Sequence, residues 1–123
     1  MIKRNEAKRK LWGFDWGTLG GKGEFCETCK EAIIREIREE SGLNLLSPKF
    51  CFFKESINKD KPDHSIHFFF SDIIDENEKI VLNDESDEYQ WFKINNLPEK
   101  MVDTKEHILE IINSSKLLLS TIS

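Results

Sequence analysis

The chain has 123 residues, 38% hydrophobic and 33% charged, with a formal net charge of −5. That is enough for one domain, read as residues 1–123, with a modest core in which nine Phe outnumber a single Tyr. The acidic balance excludes a global basic field for a nucleic-acid polymer, and no apolar run approaches the roughly 20 residues of a membrane span.

Residues 1–12 begin with a scrap of alternation and then turn basic, with no apolar run behind the charges of a secretory signal. Residues 13–24 hold five of the six glycines, which predicts a structured loop. Thr28 followed by Glu31 is a capping-box pair, and Gly42 suits the position just past a helix end. Together they predict a helix over Cys29–Ser41. On its wheel Ile33, Ile34 and Ile37 share one arc, and Glu36, Glu39 and Glu40 share the adjoining one.

Beyond the helix, Lys49–Glu55 and Ser65–Ile74 read as Phe- and Ile-rich strands joined by a polar turn at Asn58–His64. Lys79–Leu82 and Tyr89–Ile94 read as two further short strands. Asp103 with Glu106 opens a final helix over Thr104–Leu118, striped by Ile108, Leu109, Ile111 and Ile112. Strands around a helix, then strands, then a helix predict a mixed α/β sandwich.

Cys26, Cys29 and Cys51 are an odd set with no signal segment, which reads as reduced thiols in a cytoplasmic protein. The C-x-x-C of Cys26 and Cys29 has no second half, so a zinc or redox role is the weaker reading. His64 and His67 flank a strand start and read as surface or core residues. The acidic triplet is the feature that asks for a partner. Like charges three and four apart on a helix repel, and a hard divalent cation is the natural ligand for stacked carboxylate oxygens. A plain solvated face is the alternative reading of such a charge run.

Gly21, five residues, Glu27, seven residues, Arg35-Glu36-Ile37, one residue, Glu39-Glu40, one residue and Gly42-Leu43 form one unbroken pattern. It resembles the signature of the Nudix, or MutT-like, hydrolases. At average amino-acid usage it arises by chance less than about once in 10⁸ start points. Trp16-Gly17-Thr18-Leu19-Gly20-Gly21-Lys22 looks like that family's approach to the box, and Glu85 through Phe92 with Leu97-Pro98 looks like a later family segment.

The resemblance implies an α/β/α sandwich around a mixed sheet and hydrolysis of a nucleoside diphosphate linked to another group. Glu36, Glu39 and Glu40, with the Gly21 carbonyl and Glu88, are the implied ligands of Mg²⁺, with Mn²⁺ as the substitute. Glu36, Glu39, Glu40 and Glu88 are the implied catalytic carboxylates, one of them taking the proton of the attacking water. Glu27, Arg35 and Gly42 are implied supports of the loop and helix, while Lys22, Trp16 and Glu85 are candidate substrate contacts. The implied partner is a small nucleotide, with neither membrane nor nucleic-acid polymer, bound by a monomer or homodimer.

Two positions depart from the family: Leu19 stands where proline is common and Cys26 where glycine is common. Met1 to Arg4 looks like only the end of the first family strand, which predicts a truncated strand and an exposed sheet edge or gap there. The spacing that would carry an ADP-ribose-type proline holds Asn58 and Lys59, and no tyrosine marks a dinucleoside polyphosphate type. The segment from Glu85 to Phe92 most resembles the branch acting on purine nucleoside triphosphates, oxidised ones included. A nucleotide-sugar or ADP-ribose-type pyrophosphatase and a silent nucleotide-binding module are the alternatives.

Overall fold

A computed structural model describes the chain except residues 14, 15, 59, 61, 62, 76, 102–104 and 123. In chain order its elements are β1 (Ile2–Arg4), α1 (Glu6–Trp12), β2 (Trp16–Gly17), α2 (Cys29–Ser41), β3 (Lys49–Asn58), β4 (Asp63–Ser71), β5 (Ser86–Tyr89) and α3 (Lys105–Ile122). The fold is mixed α/β. Instead of one mixed sheet, the described strands form two small sheets, β2-β1-β5 and β3-β4. All three strand pairings are antiparallel, and among the described residues parallel pairing is confined to a bridge between Trp16 and Met101.

The N-terminal segment is not a free edge. β1 is the central strand, with Ile2 opposite both Gly17 and Tyr89. The Met1 amine donates to the Gln90 carbonyl at 2.9 Å, and the Gln90 N–H donates back to the Met1 carbonyl at 3.0 Å. Ile2 is the most deeply buried apolar residue described, 1% exposed. These pairings correct the exposed edge expected at β1.

The basic run after β1 is a helix that the sequence reading missed. Asn5 caps α1 by accepting from the Lys8 N–H at 2.9 Å, and Gly13 ends it at φ 78°. Glu6 lies in the first turn and Arg9 and Lys10 in the last, the arrangement that complements the helix dipole.

Further along, β3 and β4 run longer toward their turn than expected, so Asn58, Asp63 and His64 belong to the ladder. Lys79–Leu82 is not a strand. Its Val81 N–H instead donates to the Ser41 carbonyl at 2.8 Å, satisfying a group left open at the end of α2. The strand placed at Tyr89–Ile94 lies earlier, at Ser86–Tyr89, where β1 offers a partner. α3 runs to Ile122, beyond the expected Leu118, and the proposed capping residue Asp103 falls outside the described residues. It packs on β3, with the His107 ring edge-on to Phe52 at 5.6 Å.

α2 occupies Cys29–Ser41 as its caps predict. Thr28 accepts from the Glu31 N–H at 3.1 Å while Glu31 accepts from the Thr28 N–H, and Gly42 closes the helix at φ 76°. Ala32 and Ile37 are buried, with Ile33 and Ile34 half-buried. Ile33 and Ile37 also face a cavity of about 200 Å³ walled by Ile2, Leu43, Phe70 and Trp91.

Candidate active site

The loop from Gly21 to Thr28 and the first turns of α2 are joined by one side chain. The Arg35 guanidinium donates from Nε to Glu27 Oε2 at 2.7 Å and from Nη2 to Glu27 Oε1 at 2.9 Å, a two-pronged pair. Nη2 also donates to the Lys22 carbonyl at 3.0 Å, and Nη1 donates to Glu36 at 2.9 Å and Glu39 at 3.2 Å. The hydrogen bonds to Glu27 hold the guanidinium in its charged form, and Arg35 with the Glu24 N–H pulls the Glu27 carboxyl below its ordinary range. Glu27 also receives the Glu24 N–H at 2.9 Å, which closes the turn ahead of the helix. Gly21 lies so close to α2 that an added Cβ would overlap the Glu36 carboxyl and displace it from its place beside Arg35.

The three helix glutamates occupy different environments. The Glu39 side chain is 55% exposed, that of Glu36 is 16% exposed, and Glu40 is buried. Burial pushes the Glu40 carboxyl up to about 7, with the charges of Glu36 and Glu85 adding to the rise and Arg4 and the Gly20 N–H opposing it. Among the described residues Glu40 Oε2 has no hydrogen-bond partner. A buried carboxylate oxygen without a partner is costly, and a cation or a proton would offset that cost.

The structure thus gathers Gly21, Lys22, Glu27, Glu36 and Glu39 around Arg35. Gly42 supports the far end of the helix, its N–H donating to the Arg38 carbonyl. A second group lies around Glu40, whose carboxyl feels the charges of Arg4, Glu36 and Glu85. Arg4 was absent from the sequence-based set because it acts on Glu40 from 36 positions away in the chain, through a strand whose partner in β5 no local pattern reveals. Glu85 is also held by Lys8 at 3.2 Å, and its carbonyl accepts from the Asn5 N–H at 3.0 Å. Beside it, Asp87 is held by Arg9 at 2.8 Å, so the basic run of α1 fixes the acidic segment at β5.

Other expected site residues lie apart from these two groups. Glu88 is exposed on β5, opposite Lys3. The Lys22 side chain is exposed, while Trp16 is half-buried with its ring edge-on to Phe92 at 5.1 Å. Cys26 and Cys29 are exposed free thiols. Among the described residues, no three His, Cys, Asp or Glu side chains converge as a ready metal cage. The donor chemistry of Glu36, Glu39, Glu40 and the Gly21 carbonyl nonetheless suits a hard cation, and the unpartnered Glu40 oxygen is a donor such an ion would satisfy.

The model of the NUDIX domain matches residues 1–110. The nucleoside triphosphatase NudI of Klebsiella pneumoniae (strain 342) is 32% identical over 106 residues, covering 79% of this chain and 74% of that protein. An ADP-ribose pyrophosphatase of Methanocaldococcus jannaschii is 34% identical over 90 residues, covering 72% of this chain and 52% of that protein. Among solved structures, a MutT NUDIX hydrolase from Burkholderia pseudomallei superposes with a TM-score of 0.64 at 25% identity, covering 78% of this chain and 74% of its own. With the box from Gly21 to Leu43 built as one braced unit and the family model spanning most of the chain, this protein belongs to the Nudix hydrolases.

Proposed function

We propose that this chain hydrolyses a purine nucleoside triphosphate, including oxidised forms, to the monophosphate and pyrophosphate, with Mg²⁺ as cofactor. The observation that carries this reading is the graded set of glutamates on one rigid helix, ending in a buried Glu40 with a free oxygen. The relationship to a nucleoside triphosphatase and the likeness of residues 85–92 to the triphosphate branch support the substrate class.

Glu36, Glu39 and Glu40, with the Gly21 carbonyl and Glu88, would hold the Mg²⁺. The bound ion would neutralise phosphate charge and acidify a water, which is most of what phosphoryl transfer asks of a protein. Mn²⁺ would substitute with the same oxygen donors. The chain's own part is positioning. Arg35 fixes Glu36 and Glu39 against the loop, and Gly21 leaves room for the Glu36 carboxyl. Without the cation, burial lets the Glu40 carboxyl carry a proton near neutral pH, and binding the cation would release it. Lys22, Trp16 and Glu85 remain proposed substrate contacts. Glu85 is the acidic residue of its segment that acts on Glu40.

A second reading, an ADP-ribose-type pyrophosphatase, draws on the archaeal relative. A nucleotide panel including ADP-ribose and a nucleotide sugar, assayed with Mg²⁺, separates the two. Hydrolysis of triphosphates should dominate and fall by about 10²-fold or more in Glu39→Gln and Glu40→Gln. Preference for ADP-ribose would move the assignment to the second reading, and unchanged turnover in both variants would remove the metal assignment. A folded wild type inert on the whole panel would instead indicate a silent nucleotide-binding module.

A further inference from the structure

The β3–β4 hairpin has two unlike faces. One carries Phe52 and Phe69, and α3 packs on it through His107. On the other face, Phe50, Phe53, Ile57, Ile66 and Phe68 are 46%, 54%, 69%, 49% and 46% exposed. Their placement follows from the register, in which Phe53 lies opposite Phe68, Glu55 opposite Ile66 and Ile57 opposite His64. The rings form a continuous surface, with Phe50 and Phe68 centred 6.1 Å apart and Phe53 and Phe68 6.5 Å apart. A two-stranded ladder is marginal when one face is left to water.

We propose that this face is the dimer interface of the protein, covered by the same face of a second copy. The argument is one of area and charge. Five large apolar side chains, each roughly half exposed, present on the order of 500 Å² of apolar surface. That is at the upper end of what a soluble monomer leaves open. Two such faces together could bury up to about 1,000 Å², the size of a weak, concentration-dependent interface.

A two-fold contact must also be self-compatible, since each patch meets itself. The chain carries a net charge of −5, yet the described acidic side chain on this face, Glu55, is paired with His64 at 2.9 Å. Two copies would therefore bring together carboxylates that each already have a hydrogen-bond partner within their own chain.

Sedimentation equilibrium of the full chain, run across the micromolar range, tests this. Wild type should shift from monomer toward dimer mass as concentration rises. Phe53→Glu and Ile57→Glu should each weaken the dimer by about tenfold or more, with far-UV circular dichroism unchanged. Ile57 is the more exposed of the two, so that variant keeps the test sound if Phe53→Glu disturbs folding. Ile73→Glu, at a residue 85% exposed beyond the ladder, should leave the dimer intact. A wild type that stays monomeric throughout would overturn the proposal, as would a dimer unaffected by both hairpin variants or one equally lost in Ile73→Glu.

Discussion

The segment from Gly21 to Leu43 and the hairpin from Lys49 to Ser71 are organised by different forces. In the first, a single guanidinium ties together a loop carbonyl and three carboxylates that lie within thirteen positions of it. In the second, a long backbone ladder sets the shape while several large apolar side chains stay half exposed. Polar groups fix geometry closely because hydrogen bonds are directional. Apolar faces fix only that something must cover them. The contrast suggests that the first segment is finished by small, charged ligands and the second by another protein surface.

Arg35→Ala offers the largest break in this contrast. Removing the guanidinium leaves Glu27, Glu36 and Glu39 facing one another without their shared cation, and frees the Lys22 carbonyl. Triphosphate hydrolysis should fall by about 10–100-fold, as when other orienting partners of ligand side chains are lost. Arg35→Lys should not restore it, since an ammonium cannot span the two-pronged pair with Glu27 and reach Glu36 as well. Steady-state kinetics on both variants checks this, and near-normal turnover in Arg35→Ala would mean that the network is not what positions the carboxylates. The hairpin should be indifferent to either change, so the association measured by sedimentation should persist.

The same contrast explains what could be read from sequence. α2 was legible to the residue because its determinants are local: Thr28 with Glu31 at one end, Gly42 at the other, and an apolar arc between. The spacing of Glu27, Arg35, Glu36 and Glu39 likewise named groups that do meet in space. β5 was misplaced because its position depends on β1, some 80 residues earlier, and no local pattern reveals that pairing. Lys79–Leu82 has the composition of a strand, but the hydrogen bond recorded for its Val81 N–H goes to the end of α2. α1 did carry signals, Asn5 and Gly13, but its basic run concealed them. The approach of Arg4 and Glu85 to Glu40 combines two such long-range pairings and was out of reach.

Glu40 sharpens the comparison at intermediate size, because it is the acidic residue of the triplet that is paid for in burial. Its carboxyl titrates near 7 in the fold against an ordinary 4.5. Between those values the native state binds more protons than the unfolded chain, so stability falls as pH rises through this window. The penalty is complete above about pH 7 and absent below about pH 4.5, with an upper bound of about 3 kcal/mol. Without metal, Glu40→Gln should therefore melt higher than wild type at pH 8, with the difference shrinking toward pH 5. Mg²⁺ should raise the wild-type melting temperature more at pH 8 than at pH 5.5, since a ligand must be deprotonated to bind. Thermal melts across pH, with and without Mg²⁺, check both. A metal effect independent of pH would separate Glu40 from the cation.

Cys26 gives the smallest effect and tests how far the first segment is built by local geometry. It adopts φ 63° in the turn before α2, the left-handed region that disfavours any side chain. The strain for a residue with a Cβ is about 1–2 kcal/mol. Glycine would relieve it, though the greater freedom of glycine in the unfolded chain takes back about 0.5–1 kcal/mol. Cys26→Gly should accordingly stabilise the protein by about 0.5–1 kcal/mol, seen as a rise of a few degrees in melting temperature. Turnover should hardly change, because the thiol is exposed while the bonds that brace the neighbouring Glu27 run from its carboxylate to Arg35 and the Glu24 N–H. A drop in stability would show that the side chain, not the backbone angle, governs that turn, and the account of this segment as set by backbone geometry and directional hydrogen bonds would have to give way to one in which packing matters there too.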